Sequence, residues 1–82
     1  MEIHQLNTNN YVITFLFRGE MTQAVVTSRY DTFVEGFGQV TRHPNDVPNT
    51  QLGKKYALTQ ALKNSSLSRE QRTEIWGSFK LF

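Results

Sequence analysis

The stretch QLGKKYALTQALK, residues 51–63, decides the fold, because the segments before it are predicted to form a sheet on which it packs. Lys55, Thr59 and Lys63 are four residues apart and line a solvated helical face. The stem of Lys54 can cover the edge of the apolar face. Apolar residues recur with helical spacing on the other side: Tyr56, Ala57, Leu58, Ala61 and Leu62. We therefore predict a helix here, with Asn49 or Thr50 as its N-cap.

The residues before this helix are predicted to form an antiparallel sheet. The clearest strand is YVITFLFR, residues 11–18, which is rich in aromatic and β-branched residues. Further strands are expected at 2–6, 21–28 and 33–41, with Gly19-Glu20 as a two-residue type II′ turn. Gly36 and Gly38 share one face of the last strand, which predicts a bulge or the close approach of another backbone. The face predicted to pack under the helices holds Tyr11, Ile13, Phe15 and Phe17.

A second helix is predicted from the capping-box sequence Ser68-Arg69-Glu70-Gln71. We expect it to run to about residue 78 and to bury Ile75, Trp76 and Phe79. With strands first and helices last, the pattern favours an α+β fold in a single domain, residues 1–82. Its sheet would have three to four antiparallel strands, followed by two C-terminal helices packed on one face.

The last two residues, Leu81 and Phe82, form an apolar tail. We expect this tail either to pack back on the domain or to join a contact between two copies in a homodimer. Leu81 and Phe82 are therefore candidate protein-interface residues, by analogy with the aromatic and aliphatic anchors of protein interfaces.

Composition excludes several classes of site. The chain has no cysteine, so it has no disulfide, no cysteine-based zinc site and no thiol nucleophile. No apolar run approaches the roughly 20 residues of a membrane span, and the N-terminus lacks the pattern of a signal peptide. We expect a cytoplasmic protein with no membrane partner.

Charge is distributed unevenly along the chain. Residues 1–41 contain two basic and four acidic residues, whereas residues 42–82 contain seven basic and three acidic residues. A basic C-terminal half favours an anionic partner, nucleic acid first, although the same charges fit an ordinary solvated helix surface. We expect the candidate nucleic-acid or anion-binding residues to converge where the last strand meets the helix. They are Arg42, His43, Lys54, Lys55 and Lys63.

The sequence indicates no catalytic site. His43 precedes Asp46 by three residues, but a catalytic triad also needs a nucleophile in mutual reach, and this spacing carries no specific signal. His43 and Asp46 also offer too few ligands for a metal. Glu70 and Glu74 alternate with arginines on the second helix, which is typical of solvated charge. We expect no enzymatic activity, no metal and no cofactor.

Residues 52–62 resemble the last helix of double-stranded-RNA-binding domains. That family opens this helix with paired lysines followed by alanines, after three antiparallel strands. Lys54 and Lys55 match the paired lysines and Ala57 matches the first alanine, while Leu58 stands where the family has a further lysine. The resemblance implies a similar arrangement of sheet and helix, and contact with RNA.

A longer pattern runs through the second half of the chain and consists of Gly38, His43, Pro44, Asp46, Gly53, Lys54, Ala57, Leu58, Ala61, Leu62, Arg72, Ile75 and Trp76. This pattern resembles a group of small phage-encoded accessory proteins. The resemblance implies a modulator of host machinery or defence, acting in the host cytoplasm.

Two hypotheses follow. The first is a non-catalytic protein that contacts nucleic acid or a nucleic-acid-handling host complex through its basic half. The second is an inhibitor or adaptor that docks on a host enzyme or defence protein without touching nucleic acid.

Overall fold

The computed structural model describes residues 2–43 and 49–80. Four strands come first and two helices follow, so the predicted α+β fold is confirmed. The strands form one antiparallel sheet in the order β1-β2-β3-β4. The elements are β1 (Glu2–Asn7), β2 (Tyr11–Arg18), β3 (Met21–Ser28), β4 (Val34–Thr41), α1 (Thr50–Lys63) and α2 (Arg69–Lys80).

Both helices pack on one face of the sheet, here called the inner face. Its centre is the predicted aromatic face of β2, where Ile13 and Phe15 are fully buried. Phe15 lies 6.1 Å from the ring of Phe79 on α2. The core therefore consists of alternate residues of the strands and the apolar faces of the two helices. Its buried members are Leu6, Tyr11, Ile13, Phe15, Ala24, Val26, Ala57, Leu58, Ala61, Leu62, Leu67, Ile75 and Phe79.

The turn between β2 and β3 has the predicted geometry. Gly19 has a φ of +58°, which glycine adopts without steric cost. Among the described residues, Thr32 is the sole non-glycine residue with a positive φ, so Glu20 has an ordinary φ, as a type II′ turn requires. The Arg42 amide donates a hydrogen bond of 2.8 Å to the Glu20 carbonyl, which holds this turn against the end of β4.

Strand β4 contains both features predicted from its glycines. Val26 of β3 faces Gly36 while Thr27 faces Val34, so Glu35 is the extra residue of a bulge. A Cβ atom at Gly38 would collide with the backbone of α1 at Ala57 and Ala61. The glycines therefore allow the backbone of α1 to lie directly on the strand.

The two helices begin with the predicted caps. The side chain of Asn49, and not that of Thr50, caps α1 by accepting a hydrogen bond from the Leu52 amide. The capping box of α2 is complete, because the Gln71 amide donates to the Ser68 hydroxyl and the Ser68 amide donates to the Gln71 side chain. The helix extends to Lys80, two residues beyond the predicted end.

The structure differs from the sequence prediction at Trp76. This residue was expected to be buried with Ile75 and Phe79, but it is half-buried at the margin of the core, where its indole meets the Phe79 ring edge-on at 5.5 Å. Its neighbour Ile75 takes the fully buried position, because consecutive residues on a helix point about 100° apart. None of the described helices is long and apolar enough to cross a membrane.

Candidate binding surfaces

The structure separates the five predicted anion-binding residues into distinct places. Arg42 and His43 follow β4 at the start of α1, as expected. Lys54 is buried, whereas Lys55 and Lys63 are exposed on the solvated face of α1. Lys63 lies in the last turn of α1, about 12 Å along the helix axis from Lys55. The five residues therefore do not form one cluster.

Lys54 belongs to the core side of α1. Only 8% of the residue is exposed, and its ammonium lies 5.9 Å from the centre of the Phe15 ring. Burial lowers the pKa of the Lys54 ammonium, and the negative charge of Glu2 opposes this effect. The helical spacing explains the position, because Lys54 stands three and four residues before the buried Ala57 and Leu58. A substitution at Lys54 would therefore test packing, whereas one at Lys55 would test surface charge.

Lys55 faces a groove between the two helices, here called the interhelical groove. The groove has a volume of about 330 Å³, and its walls come from the first half of α1 and the last turns of α2. Two lysines, Lys55 and Lys80, line the groove together with the half-buried Trp76. The lining residues are Gln51, Lys55, Trp76, Phe79 and Lys80.

Lys80 and Trp76 were not among the predicted site residues. The sequence contains no signal that would pair them with Lys55, because the residues lie 21 and 25 positions apart. They come together because the first half of α1 and the last turns of α2 line the same groove. A ligand with phosphates and aromatic rings can use such a site in two ways. Its phosphates contact the cations, and its rings stack on the aromatic side chain.

A second hollow, here called the terminal hollow, lies where β4 ends and α1 begins. It has a volume of about 550 Å³, with an apolar wall that includes Val40, Leu52 and Tyr56. Arg42 and His43 lie on its rim, and the Arg42 guanidinium is 4.0 Å from the carboxylate of Glu20. Its remaining lining residues are Phe17, Gly19, Glu20, Thr22, Thr41, Asn49, Thr50 and Gly53.

Glu74 has a structural role that its sequence context does not reveal. Its carboxylate accepts hydrogen bonds from the Thr8 hydroxyl at 3.0 Å and from the Asn10 side-chain amide at 2.9 Å. The same Thr8 hydroxyl accepts a hydrogen bond from the Tyr11 amide. Glu74 therefore joins the middle of α2 to the β1–β2 turn, and it is not the purely solvated charge expected from its spacing to Glu70.

Positive charge is concentrated in the helical part of the molecule. Residues 49–80, here called the helical layer, contain six basic and two acidic residues, a formal net charge of +4. Residues 2–43, the sheet part, contain three basic and four acidic residues, a formal net charge of −1. The charge asymmetry of the sequence thus becomes an asymmetry between the two sides of the fold.

The remaining predicted residues are not all within the described structure. Leu81 and Phe82 lie outside the described residues, as does Asp46. Within residues 2–43 and 49–80, no group of three or more His, Asp or Glu side chains could hold a metal ion.

Comparison with known proteins gives no match for this chain: no family model, curated protein or solved structure is significantly similar to it.

Proposed function

We propose that this protein is a non-catalytic binding module that contacts nucleic acid through its helical layer. The observation that carries the proposal is the interhelical groove, which Lys55 and Lys80 line together with the half-buried Trp76. The net charge of +4 on the helical layer supports it, because a basic face attracts a polyanion over distances of several Å.

The chemistry of the groove favours single-stranded nucleic acid. Ammonium groups contact phosphates without selecting a base sequence. An accessible indole face can stack on an unpaired base, and stacking contributes about 1–3 kcal/mol per base in known complexes. Bases within a duplex are already stacked on each other, so a duplex can use the two lysines but not Trp76. We therefore expect a preference for single strands over duplexes.

A fluorescence-anisotropy titration tests this proposal. Short labelled single strands and duplexes of RNA and DNA would be titrated with the protein across a series of salt concentrations. We expect binding to weaken steeply with salt, because bound lysines release counterions from the phosphates. No detectable binding to any of these nucleic acids at low salt would contradict the proposal.

A matched pair of charge reversals localises the interaction. Lys55→Glu places a negative charge in the lining of the interhelical groove, whereas Lys63→Glu makes the same change on the same helical face, two turns away. We expect Lys55→Glu to weaken binding at least tenfold and Lys63→Glu to have a much smaller effect. Equal effects of the two variants would show that only the overall charge matters, and would remove the groove from the proposal.

A second candidate function is docking on a host protein, as an inhibitor or adaptor. The terminal hollow favours it, because Leu52 and Tyr56 expose apolar surface next to the rim residues Arg42 and His43. Apolar anchors in pockets dominate the energetics of protein interfaces. A pull-down from host lysate, with and without nuclease, separates the two functions: a protein partner retained after nuclease supports this candidate, and one lost with nuclease supports the first.

A further inference from the structure

The sheet face opposite the helices, here called the outer face, is not covered by either helix. Both helices pack on the inner face, through the glycines of β4 and through Phe15 of β2. On the outer face, Ile3, Val34 and Phe37 are about half exposed, at 56%, 57% and 47%. The strand pairing places these residues in cross-strand rows with Leu16, Thr27 and Val25.

The outer face is almost without charge. Side chains of paired strand residues alternate between the two faces, so the strand register assigns each residue to one of them. Among the paired residues on the outer face, Arg18 is the sole charged one, and it lies at the end of β2. The basic residues of the helical layer are on the other side of the molecule.

The polar residues of the outer face can pair with copies of themselves. They are glutamines, threonines and an asparagine, whose side chains both donate and accept hydrogen bonds. Gln23 donates to Gln39 across β3 and β4 at 3.0 Å, and Gln5 donates to Thr14 across β1 and β2 at 3.3 Å. Near a two-fold axis each residue meets its own copy. Charged residues would therefore repel each other there, whereas glutamine, threonine and asparagine side chains would not.

We propose that a second copy of this chain covers the outer face, so that two sheets pack face to face in a two-fold symmetric homodimer. Four strands of up to eight residues make a face of about 19 by 26 Å, or about 500 Å² in projection. Two such faces in full overlap bury about 1,000 Å² in total, which reaches the lower limit for a specific interface. Aligned sheets of this kind pack about 10 Å apart with their strands about 30° from parallel.

This arrangement leaves both helical layers on the outside of the dimer, and it does not depend on what they bind. It also predicts a response to salt opposite to that of nucleic-acid binding. Because the proposed contact contains a single type of charged residue, Arg18 at its margin, the dimer should persist at about 1 M salt, where exposed charges are screened beyond about 3 Å. Failure of one proposal therefore leaves the other intact.

Measurement of the molar mass in solution, by light scattering after size exclusion, tests the dimer. The chain has a mass of 9.5 kDa, so we expect a species of twice that mass for the wild-type protein at about 100 μM, well above a micromolar Kd. Thr14→Glu places a charge near the centre of the outer face and should give the monomer mass. Thr59→Glu adds the same charge to the exposed surface of α1 and should leave the dimer mass unchanged.

Two further measurements keep the test decisive. Circular dichroism would show whether Thr14→Glu is folded. If Thr14→Glu is unfolded, Gln39→Glu places a charge on the same face at an exposed position of the edge strand β4. A monomeric wild-type protein at about 500 μM, far above a micromolar Kd, would overturn the proposal and leave the face to a different protein. Persistence of the dimer in folded Thr14→Glu and Gln39→Glu would overturn it as well.

Discussion

At the scale of single residues, Lys54 shows how burial changes the role of a charged side chain. Burial holds its pKa below the ordinary value of 10.5, so the folded state binds this proton more weakly than the unfolded state does. As pH rises towards 10.5, the charged form disappears first from the folded protein, and the free energy of unfolding increases. We therefore expect Lys54→Met to be at least as stable as wild type at neutral pH, with an advantage that shrinks as pH rises.

Thermal melts of both proteins between about pH 7 and pH 10.5, where lysines titrate, check this expectation. The comparison is made between wild type and variant because Tyr11 also makes stability depend on pH at the alkaline end. Burial, assisted by the charges of Glu35 and Glu74, raises the pKa of the Tyr11 phenol, so this residue lowers stability at high pH equally in both proteins. A stability difference that stays constant or widens with pH would refute the assignment of Lys54.

Gly38 and Gly77 make a matched pair for the role of glycine. An added Cβ at Gly38 would collide with the backbone of α1, whereas Gly77 in α2 has open space around the same position. We expect Gly38→Ala to lower the free energy of unfolding by about 1–3 kcal/mol, because a clash with backbone atoms cannot be relieved by rotating a side chain. Gly77→Ala should raise the free energy of unfolding by up to about 1 kcal/mol, because alanine has a higher helix propensity than glycine. Urea unfolding of the two variants measures both changes, and a neutral Gly38→Ala would show that α1 does not approach β4 so closely.

At the scale of secondary-structure elements, the attachment of α2 depends on Glu74. Its carboxylate is the acceptor for Thr8 and Asn10, so Glu74→Ala leaves two donors of the β1–β2 turn without this partner. We expect a loss of about 1–3 kcal/mol, because hydrogen bonds to a charged group contribute more than neutral ones. The control is Glu70→Ala, which removes an exposed carboxylate one turn earlier and should cost about 0.5 kcal/mol or less.

Hydrogen exchange would locate the effect of Glu74→Ala. We expect faster exchange of the amides near the β1–β2 turn, including the Tyr11 amide that donates to the Thr8 hydroxyl. Equal stability losses in Glu74→Ala and Glu70→Ala would mean that the carboxylate of Glu74 contributes no more than a surface charge.

At the scale of the whole molecule, the fold separates two surfaces of different chemistry. The helical layer has a net charge of +4, and the outer face of the sheet has one charged residue among its paired positions. We expect changes on one surface to leave the other unaffected, because distant sites without shared partners behave additively. Lys55→Glu should therefore lose nucleic-acid binding and remain dimeric, and Thr14→Glu should become monomeric while each chain keeps its affinity for a short oligonucleotide.

Anisotropy and light scattering on the same two samples measure both properties. A loss of oligonucleotide binding in folded, monomeric Thr14→Glu would show that the binding site spans two copies and that the surfaces are not independent.

The local elements of this protein could be read from its sequence. The strands of residues 11–18 and 21–28, the Gly19-Glu20 turn and the capping box from Ser68 to Gln71 are encoded within a few neighbouring residues, and each was found where it was predicted. The burial of Lys54 could also have been inferred from the sequence, since Lys54 shares a helical face with Ala57 and Leu58.

Contacts between distant residues were decided by the tertiary structure alone. Lys55, Trp76 and Lys80 line one groove because the first half of α1 and the last turns of α2 both border it, and no periodicity within either helix carries that information. Glu74 finds Thr8 and Asn10 across more than 60 residues of chain. The physical reason is that helix and strand patterns determine which face of an element is apolar, whereas the groups that meet on its polar face depend on how the elements are arranged in space.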